Sequence, residues 1–164
     1  MRVRVVDTRS AVGDVDAIVV EDDTFHVLGA DPAWRPVAEH PRRVLDAAAR
    51  SRPDALGSVV VVEETPLRLC AVVHDLDREP SCDPAAIEAA LAQLLVIIER
   101  RVLVRIAMPL LGTAHGRLPL AEAAALLLGA LARTVDSPLR EVELRVEATA
   151  VDTVRALLAT SLPQ

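Results

Sequence analysis

The strongest constraint on the fold is an apolar stripe set between two β-rich runs. Ile87, Ala90, Leu91, Leu94, Leu95 and Ile98 recur at i, i+3, i+4, i+7, i+8 and i+11, which is one face of a helix. Asp83 stands where it can cap that helix and Pro84 where it can open it. Arg100 and Arg101 lie at its carbonyl end, where the helix dipole favours cations. The runs Leu67–His74 before it and Val102–Ala107 after it are strand-like. A helix between two strands is a crossover, and crossovers build parallel sheets.

The same alternation extends along the chain. Arg2–Val6 and Val15–Val20 read as strands separated by the polar segment 7–14. Residues 21–41 read as loop, and a helix is expected over 42–50, stopped before Pro53. Gly57–Glu63 and Leu67–His74 are joined by the short turn Glu64-Thr65-Pro66, a plausible hairpin. After the stripe helix and the strand at 102–107 come a Gly-containing loop, Met108–Arg117, and a helix from Pro119 to Arg133. A strand at 140–147 and a C-terminal helix marked by Thr149, Val151, Val154, Leu157 and Leu158 complete the order. With no repeat and no linker, the expectation is a single domain over 1–164. Its class is α/β, a three-layer α/β/α sandwich on a central mixed, mostly parallel sheet.

Composition removes several functions. At 164 residues and 52% hydrophobic content the chain can bury one sizeable core. Its only aromatics are Phe25 and Trp34, too few for the stacking platforms of single-strand nucleic-acid binders. A net charge of −6 is the opposite of a phosphate-neutralising footprint, so no nucleic-acid partner is expected. All 18 basic residues are arginine, which excludes Schiff-base chemistry and a P-loop lysine. Cys70, in an apolar run, and Cys82, in a polar loop, lack zinc-site spacing and read as reduced thiols. The N-terminus turns acidic at Asp7, and no uncharged apolar run has the length of a membrane span. A soluble, cytoplasmic protein without a membrane partner is expected.

The chemistry is expected in the loop after Ile106-Ala107. It joins a strand end to a helix opened by Pro119, so free amides at the helix start and a glycine-permitted backbone can face an anion. Gly112 and Gly116 clear side-chain bulk and Arg117 can add charge. By spacing alone this is neither GxGxxG nor GxxxxGK[ST], and an ordinary turn into a helix fits as well.

The string PLLGTAHGRLPLAEAA from Pro109 to Ala124 resembles the second phosphate-binding loop and following helix of macro domains, the ADP-ribose-binding family, with its pattern P-x-x-G-T-G-x-x-G-x-x-P-x-x-x-A-A. Val15-Asp16-Ala17-Ile18-Val19 resembles the family's V-D-A-I-V strand, and Val72-Val73-His74 its V-I-H strand end. The resemblance implies a macro-like sandwich. It also implies ADP-ribose or a related nucleotide diphosphate as ligand, held by Gly112, Thr113, Ala114, His115, Gly116 and Arg117, with Asp7 about where the family's adenine-binding aspartate sits.

The departures are specific. Where the family continues N-A-A-N and a glycine run, this chain has Val20, Glu21, Asp22 and Asp23, and Gly29 alone of the glycines. Ala114 replaces a glycine, Arg117 a small residue, and residues 148–151 lack an adenine-stacking aromatic. Binding without catalysis is therefore expected; an enzyme of this kind would be an ADP-ribosyl hydrolase using Asp22, Asp23 or His115. The alternative is a macro-fold module that has lost its nucleotide and serves as a protein-interaction or oligomerisation domain.

The remaining candidates have plainer readings. Glu21, Asp22 and Asp23 could hold a divalent cation, but contiguous residues rarely all face one ion, so a solvated acidic loop is expected and neither metal nor cofactor is assigned. His115 is a surface loop histidine or a phosphate donor, His74 a buried, hydrogen-bonded one, and the sequence says nothing useful of His26 and His40. The helix 119–133 is apolar on nearly every side after Glu122, which suggests a second copy packed on it, a homo-oligomer.

Overall fold

The computed structural model describes residues 1–28, 52–134 and 137–161. The elements run β1 (Arg2–Asp7), β2 (Ala17–Asp23), β3 (Val59–Glu64), β4 (Leu67–His74), α1 (Pro84–Arg101), β5 (Arg105–Pro109), α2 (Leu120–Ala132), β6 (Glu141–Val146), a 3₁₀ turn (Ala148–Ala150) and α3 (Val151–Ser161). The expected helix at 42–50, with Gly29, Trp34 and His40, lies outside the described residues.

The six strands form one mixed sheet in the order β1-β6-β5-β2-β4-β3. All neighbours are parallel except the β3–β4 hairpin. The crossovers β4–α1–β5 and β5–α2–β6 step across the sheet in one direction, so right-handedness places α1 and α2 on the same face. Contacts of α1 with α2 and of α2 with α3 make that layer continuous. Ala17, Val19, Leu69, Ala71 and Val73 join the core with Ile87, Leu91, Leu94 and Ile98 of α1. The arrangement is an α/β fold on a mixed sheet, consistent with the expected three-layer sandwich. No helix among the described residues is long and apolar enough to cross a membrane.

Local chemistry explains the boundaries. Asp83 caps α1, its side chain accepting from the Ala86 N–H at 2.9 Å. At the other end Val102 adopts φ 55°, and the Leu103 N–H returns to the Ile98 carbonyl. The helix stop therefore consumes residues expected to begin a strand, and β5 starts at Arg105. A β-branched residue in the left-handed region is disfavoured by about 1–2 kcal/mol, and Val102 is 67% exposed. Val102→Gly is accordingly expected to raise stability by about 0.5–1 kcal/mol, after the entropic cost of glycine, as read by a shift in denaturant midpoint at unchanged slope.

The apolar helix α2 spends its bulk internally. Leu127 and Leu131 are buried, and Leu120, Leu126 and Leu128 pack partly buried against the same core. Ala121, Glu122, Ala125, Gly129 and Ala132 form its exposed side. The sequence argument for a second copy rested on a helix apolar on nearly every side after Glu122; its leucines are buried or half-buried against this chain's own core.

On the outer strands the sheet carries a buried ion network. Glu143 and Arg145 of β6 are both 2% exposed and paired with each other. Arg4 of β1 reaches Glu143 Oε2 at 2.5 Å, while Arg145 Nη2 donates to the carbonyls of Thr8 and Ser10. These contacts fasten the segment after β1 across the end of β6.

Candidate functional site

Five parallel strands put their carboxyl ends on one edge, the edge where open α/β sheets bind ligands. Asp7, Asp23, His74, Pro109 and Val146 are the last residues of their strands there. The structure thus brings Asp7 and the Gly112–Arg117 loop to the same edge, with two strand steps between β1 and β5.

The loop is built on a buried carboxylate. Glu21, near the end of β2, accepts from the Gly112 N–H at 2.8 Å through Oε2, and its Oε1 stands 3.5 Å from Nε2 of the fully buried His74. Gly112 itself sits at φ +80°, a conformation natural to glycine. The turn is closed by Thr113 Oγ1 donating to the Leu110 carbonyl at 2.7 Å and by the Leu118 N–H donating to the Gly112 carbonyl at 3.0 Å. Gly116 is packed so tightly that a Cβ there would lie 2.5 Å from Cys82 Cβ and 2.8 Å from the Gly112 oxygen.

Above this base the loop turns outward. Ala114, His115 and Arg117 are exposed, and among the described residues none accepts from the N–H groups of residues 114–117. Ala114 has no positive φ, so alanine is accommodated there, whereas Arg117 stands at φ 54° in the region that favours glycine. No described residue pairs with the Arg117 guanidinium. His115 meets His74 edge-on, ring centroids 5.9 Å apart. Helix α2 begins directly behind, without a side-chain cap, so its N-terminal amides and dipole favour negative charge at the loop.

Asp7 is less open. Its carboxylate takes the backbone N–H, Nε and Nη2 of Arg9, and the guanidinium holds it below the usual aspartate range.

The acidic trio is not a solvated loop. β2 continues three residues past its expected end at Val20, and Glu21, Asp22 and Asp23 are 8%, 4% and 0% exposed. Each has its own work, because alternation along a strand sends neighbours to opposite faces. Glu21 holds the loop. Asp23 accepts from the N–H groups of Phe25, Val27 and Leu28 at 2.7 Å each, tying down the turn that follows β2. Asp22 faces the side of the sheet away from α1, where its Oδ2 lies 3.2 Å from His26 Nδ1 and 3.7 Å from Cys70 Sγ.

His26 and Asp54 were not singled out in the sequence, and Cys70 was read as a reduced thiol. The pairing Val20↔Cys70 in the β2–β4 register brings Cys70 beside Asp22, and Asp54 reaches His26 Nε2 at 2.6 Å. Burial of the His26 ring works to lower its pKa, but hydrogen bonds and charges of Asp54 and Asp22 outweigh it and raise it. Both cysteines are free and buried; burial pushes the Cys82 thiol up to about 12 and the Cys70 thiol higher still.

No family model matches this sequence, and no curated protein does. Solved structures do match. A macrodomain of Oceanobacillus iheyensis with MES bound aligns with a TM-score of 0.70 at 17% identity, covering 96% of this chain and 89% of that one. The macrodomain of Thermus aquaticus DarG gives 0.63 at 21% identity, covering 88% and 98%. A Trypanosoma brucei macrodomain in complex with ADP-ribose gives 0.60 at 17% identity, covering 87% and 62%.

Proposed function

We propose that this chain, which has the macrodomain fold, binds ADP-ribose or a related nucleotide diphosphate through Gly112, Thr113, Ala114, His115, Gly116 and Arg117, and does not hydrolyse it. The observation that carries the reading is the run of N–H groups at 114–117, without acceptors among the described residues, in front of the uncapped start of α2. Such a run of uncommitted amides suits a diphosphate. Arg117 supplies a cation beside it, and Asp7, on the same edge, suits the adenine. The Trypanosoma brucei relative in fold was solved with ADP-ribose.

Absence of hydrolysis follows from the residues at the lost asparagine positions. Val20 is apolar, and both carboxylate oxygens of Asp23 are committed to backbone amides, so neither is available to orient a water or a ribose.

A second reading, an interaction module that has given up its nucleotide, is favoured by one observation. Glu21 already satisfies the Gly112 N–H, so part of the loop's anion capacity is met from within. Isothermal titration with ADP-ribose separates the two. Micromolar affinity, about −8 kcal/mol, supports the binding reading. No heat and no rise in melting temperature at millimolar ligand, where even a weak site stabilises the fold, leaves the second.

A further inference from the structure

We infer that Asp22, His26 and Cys70 form a binding site for a zinc-class divalent cation on the sheet face opposite the helix layer, with Asp54 as the positioning residue behind His26. The site is separate from the nucleotide loop and does not rest on the binding reading above.

The first argument is metric. The ligand atoms lie within 4.8 Å of one another, at 3.2 Å for Asp22 Oδ2 to His26 Nδ1, 3.5 Å for Cys70 Sγ to His26 Nδ1 and 3.7 Å for Cys70 Sγ to Asp22 Oδ2. A tetrahedral zinc ion with ordinary bond lengths requires edges of about 3.3 Å between oxygen and nitrogen and about 3.5 Å from sulfur to either. The protein already holds the three corners at that spacing.

The second argument concerns protons. Asp54 Oδ2 lies 2.6 Å from His26 Nε2, placed to accept the Nε2 proton when the Nδ1 lone pair is given to an ion. Nδ1 faces an Asp22 carboxylate oxygen at 3.2 Å, a contact closed by a positive charge that a proton supplies in the metal-free protein and that the ion would supply in its place. A carboxylate behind a metal-binding histidine is the arrangement that orients the ring and raises its basicity.

The backbone is committed to the same geometry. His26 sits at φ 58°, held by its N–H to the Asp23 carbonyl and by the Asp23 side chain across the turn. Non-glycine residues in that region cost free energy and gather at functional sites. Sulfur, imidazole and carboxylate together select zinc over magnesium or calcium. The described residues supply three ligands, and the His26 side chain is 31% exposed, so the fourth position of a tetrahedral ion falls to water or a further ligand.

The test titrates chelator-treated protein with Zn²⁺ against a chromophoric competitor, and with Co²⁺ while recording the absorption spectrum. The expected result is one Zn²⁺ per chain, undisturbed by a thousandfold excess of Mg²⁺, and a near-ultraviolet thiolate-to-cobalt band. Cys70→Ser should abolish the band and weaken Zn²⁺ at least 100-fold; His26→Gln should weaken it comparably. Asp54→Asn should keep the band while lowering affinity 10–100-fold, and Cys82→Ser should change nothing. The proposal is overturned if wild-type protein takes up no stoichiometric Zn²⁺, or if its cobalt complex lacks the thiolate band. The second readout needs no variant, so a misfolded Cys70→Ser would not leave the matter open. In either failing case the cluster is a hydrogen-bonded network closed by a protonated His26.

Discussion

Glu143→Ala is expected to cost about 3–5 kcal/mol of folding stability, a large part of what a domain of this size has. The carboxylate lies on β6, 2% exposed, between the guanidinium groups of Arg4 and Arg145. Arg4 is half in solvent and can turn away. Arg145, 2% exposed, would lose this carboxylate from beside a desolvated positive charge. Removing one member of such a pair is costly because of the charge left behind, whereas replacing both by apolar residues of similar volume is often close to neutral. The double variant Glu143→Leu with Arg145→Met should therefore recover most of the loss. Urea unfolding of the three proteins checks this, and a single-variant cost below about 1 kcal/mol, the scale of exposed pairs, would show the network to be a surface feature.

The second large effect is expected at Gly116. Its φ is not positive, so alanine is refused by space alone: the new Cβ would stand 2.5 Å from Cys82 Cβ, 2.8 Å from the Gly112 oxygen and 3.1 Å from His74 Cε1. The Gly112 oxygen is backbone and holds the Leu118 N–H, so the loop cannot yield without opening. Overpacking of this kind costs about 1–3 kcal/mol, well short of unfolding, and the amides of 114–117 would be displaced. Titration of Gly116→Ala with ADP-ribose is expected to show affinity reduced 100-fold or more, about 2.7 kcal/mol, with native far-ultraviolet dichroism. Unchanged affinity would remove the loop from the binding reading. Cys82→Gly in that background relieves one of the clashes and leaves the one with Gly112, so only partial recovery is expected.

Elements carried by periodicity were legible in the sequence. The stripe from Ile87 to Ile98 and the Asp83 cap appear in the structure as read, and β4 has its expected bounds. The errors lie where polar residues are buried. Glu21-Asp22-Asp23 breaks every compositional rule for a strand interior, and only the loop 91 residues away, the turn just after β2, and His26 with Cys70 across the sheet explain why each carboxylate is tolerated. Val102 misled in the opposite sense, its β-branched side chain suggesting a strand while α1 needed a left-handed stop. The Gly112–Arg117 turn into α2 was legible because its residues are contiguous. The Asp22–His26–Cys70 cluster was not, because its members come from three places joined only by strand register and a turn.

Among the described residues β1 has a single neighbour in the sheet, β6, and its ladder partners all lie between residues 141 and 146. During synthesis β1 must therefore wait for β6, made more than 130 residues later. β2, β4 and β5 can assemble around α1 once residue 109 has emerged, but one margin of the sheet stays unpaired until β6 is made. Such long-range closure is slow, and an unpaired strand invites other chains. Arginines at positions 2 and 4 place positive charge on that waiting strand and discourage it from pairing with its own copies.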